Sequence, residues 1–187
     1  MPEISIHPLT PDRWDDFVSL FGKRGACGGC WCMFWRLKHS EYERQRGDGN
    51  QQAMHFLVAT GAVPGLLAYL DGQPIGWCSL GPRESFPVLE RSRILKRVDD
   101  QPVWSVVCFF IAKIQRRQGV TLKLLHASLE YAYAHGARIM EGYPVEVIGR
   151  AKPDVFVYTG LASTFQKVGF VEVARRSETR PIMRYTW

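Results

Sequence analysis

Residues 103–112 read VWSVVCFFIA, a continuous β-branched and aromatic run without a charged side chain. Strands that face water on one side alternate apolar with polar residues. An unbroken run such as this one belongs to a central strand covered on both faces. A basic loop, KIQRRQG, comes next. Beyond it Leu122, Leu125, Leu129, Ala132 and Tyr133 form an apolar stripe, which predicts an amphipathic helix that begins at Gln118 and is closed by Gly136. A further apolar segment, ARIMEGYPV, reads as the next strand. Buried strand, helix and second strand make a parallel crossover unit, and such units need helices over the sheet. The 187 residues suit one domain spanning 1–187. At that length roughly 70% of the unfolded chain's surface can be buried.

The rest of the chain fits around this unit. EISIH predicts a first strand, and Thr10 with Pro11 reads as the cap and first position of a helix. Trp14, Phe17, Val18 and Phe21 give that helix one apolar face. Ser40 and Glu43 have capping-box spacing ahead of a second helix, and after GDGN, Asn50 reads as the cap of a further stretch up to Gly61. GLLAYLDGQPIGWCSLGP is two apolar runs flanking Asp71-Gly72, the signal of a hairpin with a primed turn. Residues 82–102 are more polar, with a short helix near VLERSRIL. LASTFQKV predicts a last helix closed by Gly169, and two strands fill 170–187. The order is β-α-α-β-β-β-α-β-α-β-β, a mixed α/β fold.

Composition narrows the function classes. Five cysteines, odd in number and clustered, are not a disulfide framework. No apolar run is long enough to span a bilayer, and MPEISIHPLT lacks the regions of a signal peptide. The expectation is a cytoplasmic protein with no membrane partner, monomeric or homodimeric. A net charge of +6 favours anionic partners. Nucleic acid is the weaker reading, because no recognition motif is present and the aromatics are not interleaved with the basic cluster.

The chemistry concentrates in FFIAKIQRRQGVTLKLL, where the buried strand meets the helix. Backbone N–H groups at such a turn, together with a helix N-terminus, make a concave anion site. Gly119 lets the backbone approach a ligand closely. Between Ile111 and His126 stand Lys113, Arg116, Arg117 and Lys123 and no acid, which suits a pyrophosphate. Here the chain resembles the GNAT family of acetyl-CoA-dependent N-acetyltransferases. The family's Arg/Gln-x-x-Gly-x-Gly/Ala signature is matched by Arg116-Arg117-Gln118-Gly119-Val120-Thr121, with Thr121 departing from it. FQKVGF resembles the family's C-terminal helix and its Gly-Phe ending, and the order of elements over residues 3–185 is the family's order.

The resemblance implies a GNAT-like sheet whose strands 4 and 5 splay in a V around acetyl-CoA, the co-substrate. Backbone groups of Phe110 and Ile111 would pair with the pantetheine arm, and the N–H groups of Arg117, Gln118, Gly119, Val120 and Thr121 would hold the pyrophosphate. Phe165 and Lys167 of the last helix would border the cofactor. A small-molecule or peptide amine would attack the thioester directly, with its carbonyl polarised by a strand N–H.

An alkylammonium, with a pKa near ~10.4, must lose a proton before it attacks. The 103–112 strand carries no carboxylate, so Glu141 on the neighbouring strand is the candidate base, with a structural ion pair to an arginine as its other reading. In many family members a tyrosine of the last helix protonates the leaving thiolate. That position is Phe165 here, so Tyr158 is the candidate acid, with Tyr143 close to it in sequence.

GACGGCWCMFWR holds Cys27, Cys30 and Cys32. A closed zinc site needs four ligands, and His39 is the only imidazole near. No metal is therefore expected. A redox CxxC opens a helix after a strand, unlike this glycine-rich turn. The resemblance puts the segment beside the acceptor site. Trp31, Phe34, Trp35 and Tyr143 would then wall a substrate pocket, with packing of the loop aromatics into the core between helices and sheet as their other reading; Arg36 would meet an acceptor carboxylate, and 82–102 would form the opposite rim. The reading is an acetyl-CoA-dependent N-acetyltransferase. The alternative is a non-catalytic acyl-CoA-binding module.

Overall fold

The structure, a computed structural model, describes residues 3–149 and 156–187. Seven strands form one sheet in the order β1 (Ile4–Pro8), β2 (Gly65–Leu70), β3 (Gln73–Pro82), β4 (Trp104–Ile111), β5 (Ile139–Gly142), β7 (Pro181–Thr186) and β6 (Val171–Arg175). Only β4 and β5 run parallel. The helix that joins them, α5 (Val120–Ala134), covers one face together with α6 (Ala162–Val168). The other face carries α1 (Trp14–Phe21), α2 (His39–Arg44), α3 (Asp48–Ala59) and the short α4 (Pro87–Arg91). No helix among the described residues is long and apolar enough to cross a membrane.

Successive residues of the central strands serve opposite cores, as a sheet covered on both faces requires. Leu66 and Ala68 face α5, whereas Leu67 and Tyr69 face α1 and α3. The Asp71-Gly72 hairpin is as expected, with φ of 49° and 75° at the two turn residues.

Several local expectations give way to tertiary partners. Thr10 Oγ1 caps no helix: it accepts from Arg13 Nη1 at 2.8 Å, and Pro11–Arg13 is a short 3-10 turn leading into α1. Ser40 lies inside α2, whose cap position is Lys38, and Glu43 pairs with Arg46 at 2.6 Å. Asn50 is buried in the first turn of α3, where its Nδ2 donates to Gly29 O at 3.1 Å and ties the helix to the cysteine loop. In α5 the buried stripe passes through Val120, Leu124 and Ser128 as well as Leu125, Leu129 and Ala132. Tyr133 is exposed and stands beside Trp187, and Leu122 is half-buried.

Two irregularities meet in β4. Its pairing with β5 stops after Trp104–Met140, Ser105–Glu141 and Val106–Gly142. From Val107 onward the strands part, and Phe109 N–H donates instead to Tyr158 O at 2.6 Å. On the other side Ser79 pairs with Cys108 but Leu80 with Val106, so Val107 is the extra residue of a bulge. Val106 and Phe109 face α5, while both Val107 and Cys108 face the α1–α4 side. The bulge is what re-aims Cys108.

Beside the parting, Ser105, Glu141 and Arg184 form one row across β4, β5 and β7. Glu141, 1% exposed, accepts from Arg184 Nε at 2.8 Å, from Arg83 Nη1 at 3.0 Å and from Tyr143 OH at 2.8 Å. Arg83, also 1% exposed, donates to Leu95 O and to Glu90, and Arg184 reaches Asp99 at 2.6 Å. Glu141 thus fastens the 83–99 segment to the sheet. Removing one partner of such a buried cluster costs about 3–5 kcal/mol, because it strands the charges left behind. Glu141→Gln should therefore lower the thermal midpoint and denaturant stability by that order, measured by calorimetric and urea unfolding. A loss under ~1 kcal/mol would show that the cluster is not a fastening.

The Arg184 guanidinium holds the Asp99 carboxyl down at about 2. A depressed carboxylate stabilises above its unfolded value, near ~3.9, and that contribution is lost as pH falls through the folded value. Between those values wild type should lose stability that Asp99→Asn never had, as pH-resolved melting would show.

Candidate functional site

A cavity of about 870 Å³ opens where β4 and β5 part. Its walls are the unpaired half of β4, the cysteine loop, the turn leading into α5, and the segment from Val157 to Lys167. The lining residues of β4 run Cys108, Phe109, Phe110, Ile111 and lead toward Arg116, Arg117, Gly119 and Thr121. Cations therefore gather at one end and thiols and aromatic rings at the other.

The cationic end is built from strained backbone. Arg117 and Gly119 have φ of 61° and 78°, and a Cβ on Gly119 would meet nothing within 4 Å. The N–H groups of Arg117, Gln118 and Gly119 make no backbone hydrogen bond among the described residues. Those opening α5 have no preceding turn to donate to. Arg116 Nε donates to Ile111 O at 3.1 Å, which braces the loop against the strand. Lys167 adds a charge from α6.

Eight of the expected cofactor contacts line this cavity: Phe110, Ile111, Arg116, Arg117, Gly119, Val120, Thr121 and Lys167. Two do not. Gln118 turns back, its Nε2 donating to Ile114 O at 2.9 Å. Phe165 is fully buried, packed so closely on Gly142 and Gly160 that a Cβ at either would lie 2.0 or 2.7 Å from its ring. Its ring wedges between the two glycines, away from the described cavity lining.

At the other end Phe34, Trp35 and Tyr158 line the cavity, joined by Tyr42, Cys27, Cys30, Cys32 and Cys108. Trp31 does not reach it, since it is stacked in the aromatic core at 5.8 Å from Phe21. Arg36 is a strut: it donates to Pro64 O at 2.9 Å and Leu80 O at 3.2 Å and lies over the Phe86 ring. It is not among the described lining residues of either cavity. Glu141 and Tyr143 are sealed in the arginine cluster and line neither cavity. No aspartate, glutamate or histidine stands among the described lining residues. Burial pushes the Tyr158 phenol up, and likewise that of Tyr42 to about 12.

The thiol cluster is the part that sequence reasoning read only as wall. Cys32 is buried, and its Sγ accepts from Trp77 Nε1 at 3.1 Å. The neighbouring Cys108 thiol, then the Trp77 indole N–H, the Ser79 hydroxyl and the Arg36 guanidinium, outweigh burial and hold the Cys32 thiol down at about 7. The C-x-x-C-x-C spacing was the visible signal, but the bulge that brings Cys108 to it leaves no mark in the sequence. No group of three or more histidine, cysteine or acidic side chains among the described residues is arranged to hold a metal ion.

A second cavity, about 390 Å³, shares Phe34, Trp35 and Tyr158 with the first. Val88, Arg91, Ser92, Ile94 and Leu95 of the 82–102 segment form its rim, as expected of that segment, and Arg180 adds a second cation.

Solved structures with this fold include PaiA N-acetyltransferase from Thermoplasma acidophilum in complex with coenzyme A. It is 13% identical, with 99% of each chain covered and a TM-score of 0.56. A GNAT-family acetyltransferase from Streptococcus agalactiae is 13% identical over 98% of this chain and 95% of its own, with a TM-score of 0.58. Aminoglycoside N-acetyltransferase AAC(6')-Iy in complex with CoA is 16% identical over 95% and 93%, with a TM-score of 0.56. No curated protein sequence matches the chain. The family model described as Acetyltransferase (GNAT) family matches residues 30–143, from the thiol cluster through the loop and α5 to the end of the parting strands. On that match and this fold, the chain belongs to the GNAT family of acetyltransferases.

Proposed function

We propose that this protein transfers the acetyl group of acetyl-CoA to the amine of an acceptor, by direct attack of the amine on the thioester. The observation that carries the reading is the cavity itself. It follows the unpaired half of β4 and runs into a loop of unengaged N–H donors backed by Arg116, Arg117 and Lys167. Those donors and cations fit a pyrophosphate, and the open space over Gly119 is the cradle it would fill. Bound there, acetyl-CoA supplies an activated acyl group. With the anion at the loop, the β4 backbone at Phe110 and Ile111 would accompany the pantetheine arm and the acyl end would lie toward Cys108. A strand N–H near the bulge beside Cys108 would polarise the thioester carbonyl.

The acceptor would enter through the second cavity, between Trp35 and Tyr158. Trp35 keeps its indole N–H buried and without a partner among the described residues, a donor ready for an acceptor oxygen. Arg91 and Arg180 flank that entrance, and neither cavity has an acidic lining residue among those described. A polycationic amine would meet only like charge there, so the acceptor is a monoamine with an apolar body and a neutral or anionic remainder.

A CoA thiol resembles a free cysteine thiol, near ~8.5, and leaves as a thiolate without an acid. Tyr158→Phe should therefore lower kcat/KM by less than about tenfold, below the range of general acid–base loss.

Two measurements test the reading. Titration calorimetry should show acetyl-CoA binding, weakened about tenfold or more in Gly119→Val. A β-branched residue at positive φ costs roughly 1–2 kcal/mol before it fills the cradle. Absence of heat at millimolar cofactor would end the assignment. Release of CoA thiol across an amine panel should favour aromatic or carboxylate-bearing monoamines over spermidine, and the opposite order would refute the acceptor class. Binding without turnover of any amine would favour an acyl-CoA-binding module.

A further inference from the structure

Direct attack by an amine needs a proton acceptor at the acyl end of the cavity. Glu141, the carboxylate that sequence reasoning placed there, is spent on Arg83, Arg184 and Tyr143 inside the sheet. The described lining of the cavity offers only thiols and phenols as groups that can take a proton. Among the thiols, Cys32 alone has an indole N–H donating to its sulfur, from the fully buried Trp77. The β4 bulge turns Cys108 toward the same side. Trp31 and Cys32 are both held at positive φ, 43° and 59°, a costly backbone for residues with side chains. The lining of β4 leads from the pyrophosphate loop to Cys108, so the thiol pair lies where the acyl group of a bound acetyl-CoA would end.

We infer that Cys32, as its thiolate, is the general base that takes the proton from the acceptor's ammonium. The inference rests on the acetyl-CoA reading above. The groups facing Cys32 are the Arg36 guanidinium from its own loop, the Trp77 indole and Ser79 hydroxyl from β3, Cys108 from β4, and the Cys30 thiol and Tyr158 phenol across the cavity, while the Cys78 thiol lies on the other face of the sheet against Ser128. The Cys30 and Cys78 thiols are pushed up chiefly by burial, and that of Cys108 chiefly by its bond to Cys32. Of the thiols in contact there, Cys32 is the one held below the ordinary thiol range, by its bonds to Cys108 and to the Trp77 indole. A base is most effective when its pKa lies near the working pH.

The protons balance as follows. Cys32 Sγ takes one proton from the ammonium, and the neutral nitrogen attacks the thioester carbon. The C–N bond forms as the C–S bond to CoA breaks. The second nitrogen proton passes to the departing CoA thiolate, and Cys32 returns its own proton to solvent. The products are the amide, CoA thiol and one released proton.

The test has two arms on the full-length protein. In the first, wild-type protein is alkylated with iodoacetamide across neutral pH, and Cys32 is followed by peptide mass spectrometry. The expected result is half-maximal reactivity at a pH below that of an ordinary thiol, the direction in which Cys108 and the Trp77 indole shift it, and protection by acetyl-CoA. A midpoint at or above that of an ordinary thiol, about 8.5, would overturn the proposal. In the second, Cys32→Ser is assayed with the best amine of the panel. Near neutral pH its kcat/KM should fall by about 10²-fold, the low end for loss of a general base. CoA binding by calorimetry should be unchanged. The deficit should close as pH rises toward the amine's own pKa, near ~10.4, where free amine needs no base.

An unchanged rate, or a deficit constant with pH, would overturn the role. So would an acetyl group found on Cys32 after acetyl-CoA alone, which would make it a nucleophile. If Cys32→Ser fails to fold, the alkylation arm decides by itself. Wild-type protein that binds no acetyl-CoA, or acetylates no amine, would refute the underlying acetyltransferase reading instead.

Discussion

Everything at this site follows from β4 losing its parallel partner halfway along. A buried strand whose backbone groups are unpaired is costly, and proteins satisfy nearly all of them. Here the first group past the parting, Phe109 N–H, is met by Tyr158 O from a segment that is not a strand. The backbone beyond it borders a cavity instead of a neighbour. An extended ligand arm with its own amide groups is the natural partner for such an edge, in the manner of strand addition. The parting thus creates both the space and the hydrogen-bonding demand.

Two devices keep the strands apart. The Phe165 ring sits against the backbone of Gly142, the last residue of β5, and of Gly160. No residue with a side chain fits at either glycine without moving that ring. The Glu141 cluster works from the other side. It draws β7 and the 83–99 segment onto β5 just where pairing with β4 ends. Phe165 brings no polar atom to this contact, and the fold uses its ring as a wedge.

Charge is sorted along the cavity with little mixing. Arginines and a lysine crowd the turn at the α5 N-terminus, and the far end is lined by thiols, phenols and aromatic rings. The one guanidinium near the Cys32 thiol, Arg36, is fixed by backbone carbonyls and does not move with substrate. A fixed cation and fixed N–H donors stabilise an anion without reorganising, which is how preorganised sites act.

Much of this was legible in the chain itself. The unbroken apolar run at 103–112, the basic glycine turn after it and the periodicity of α5 determined a parallel crossover with a cationic turn at its junction. Those signals are local, set by strand period, helix period and the need for positive φ at Gly119. Helix starts were less legible. Thr10, Ser40 and Asn50 all look like caps, yet a guanidinium, a distant carbonyl or a neighbouring turn outbid the local amide for each or shifted the boundary. Only the tertiary structure decided the roles of the buried polar groups. Glu141 reads as a lone carboxylate in an apolar strand. Which arginines claim it depends on β4, β5 and β7 lying side by side. Cys32 and Cys108 are far apart in the chain, and a one-residue bulge in β4 turns the second toward the first. Sequence spacing fixes neither strand adjacency nor bulge position. Both are settled by how the two faces of the sheet are packed, and for that reason the base candidate passed from a carboxylate in the sequence to a thiol in the structure.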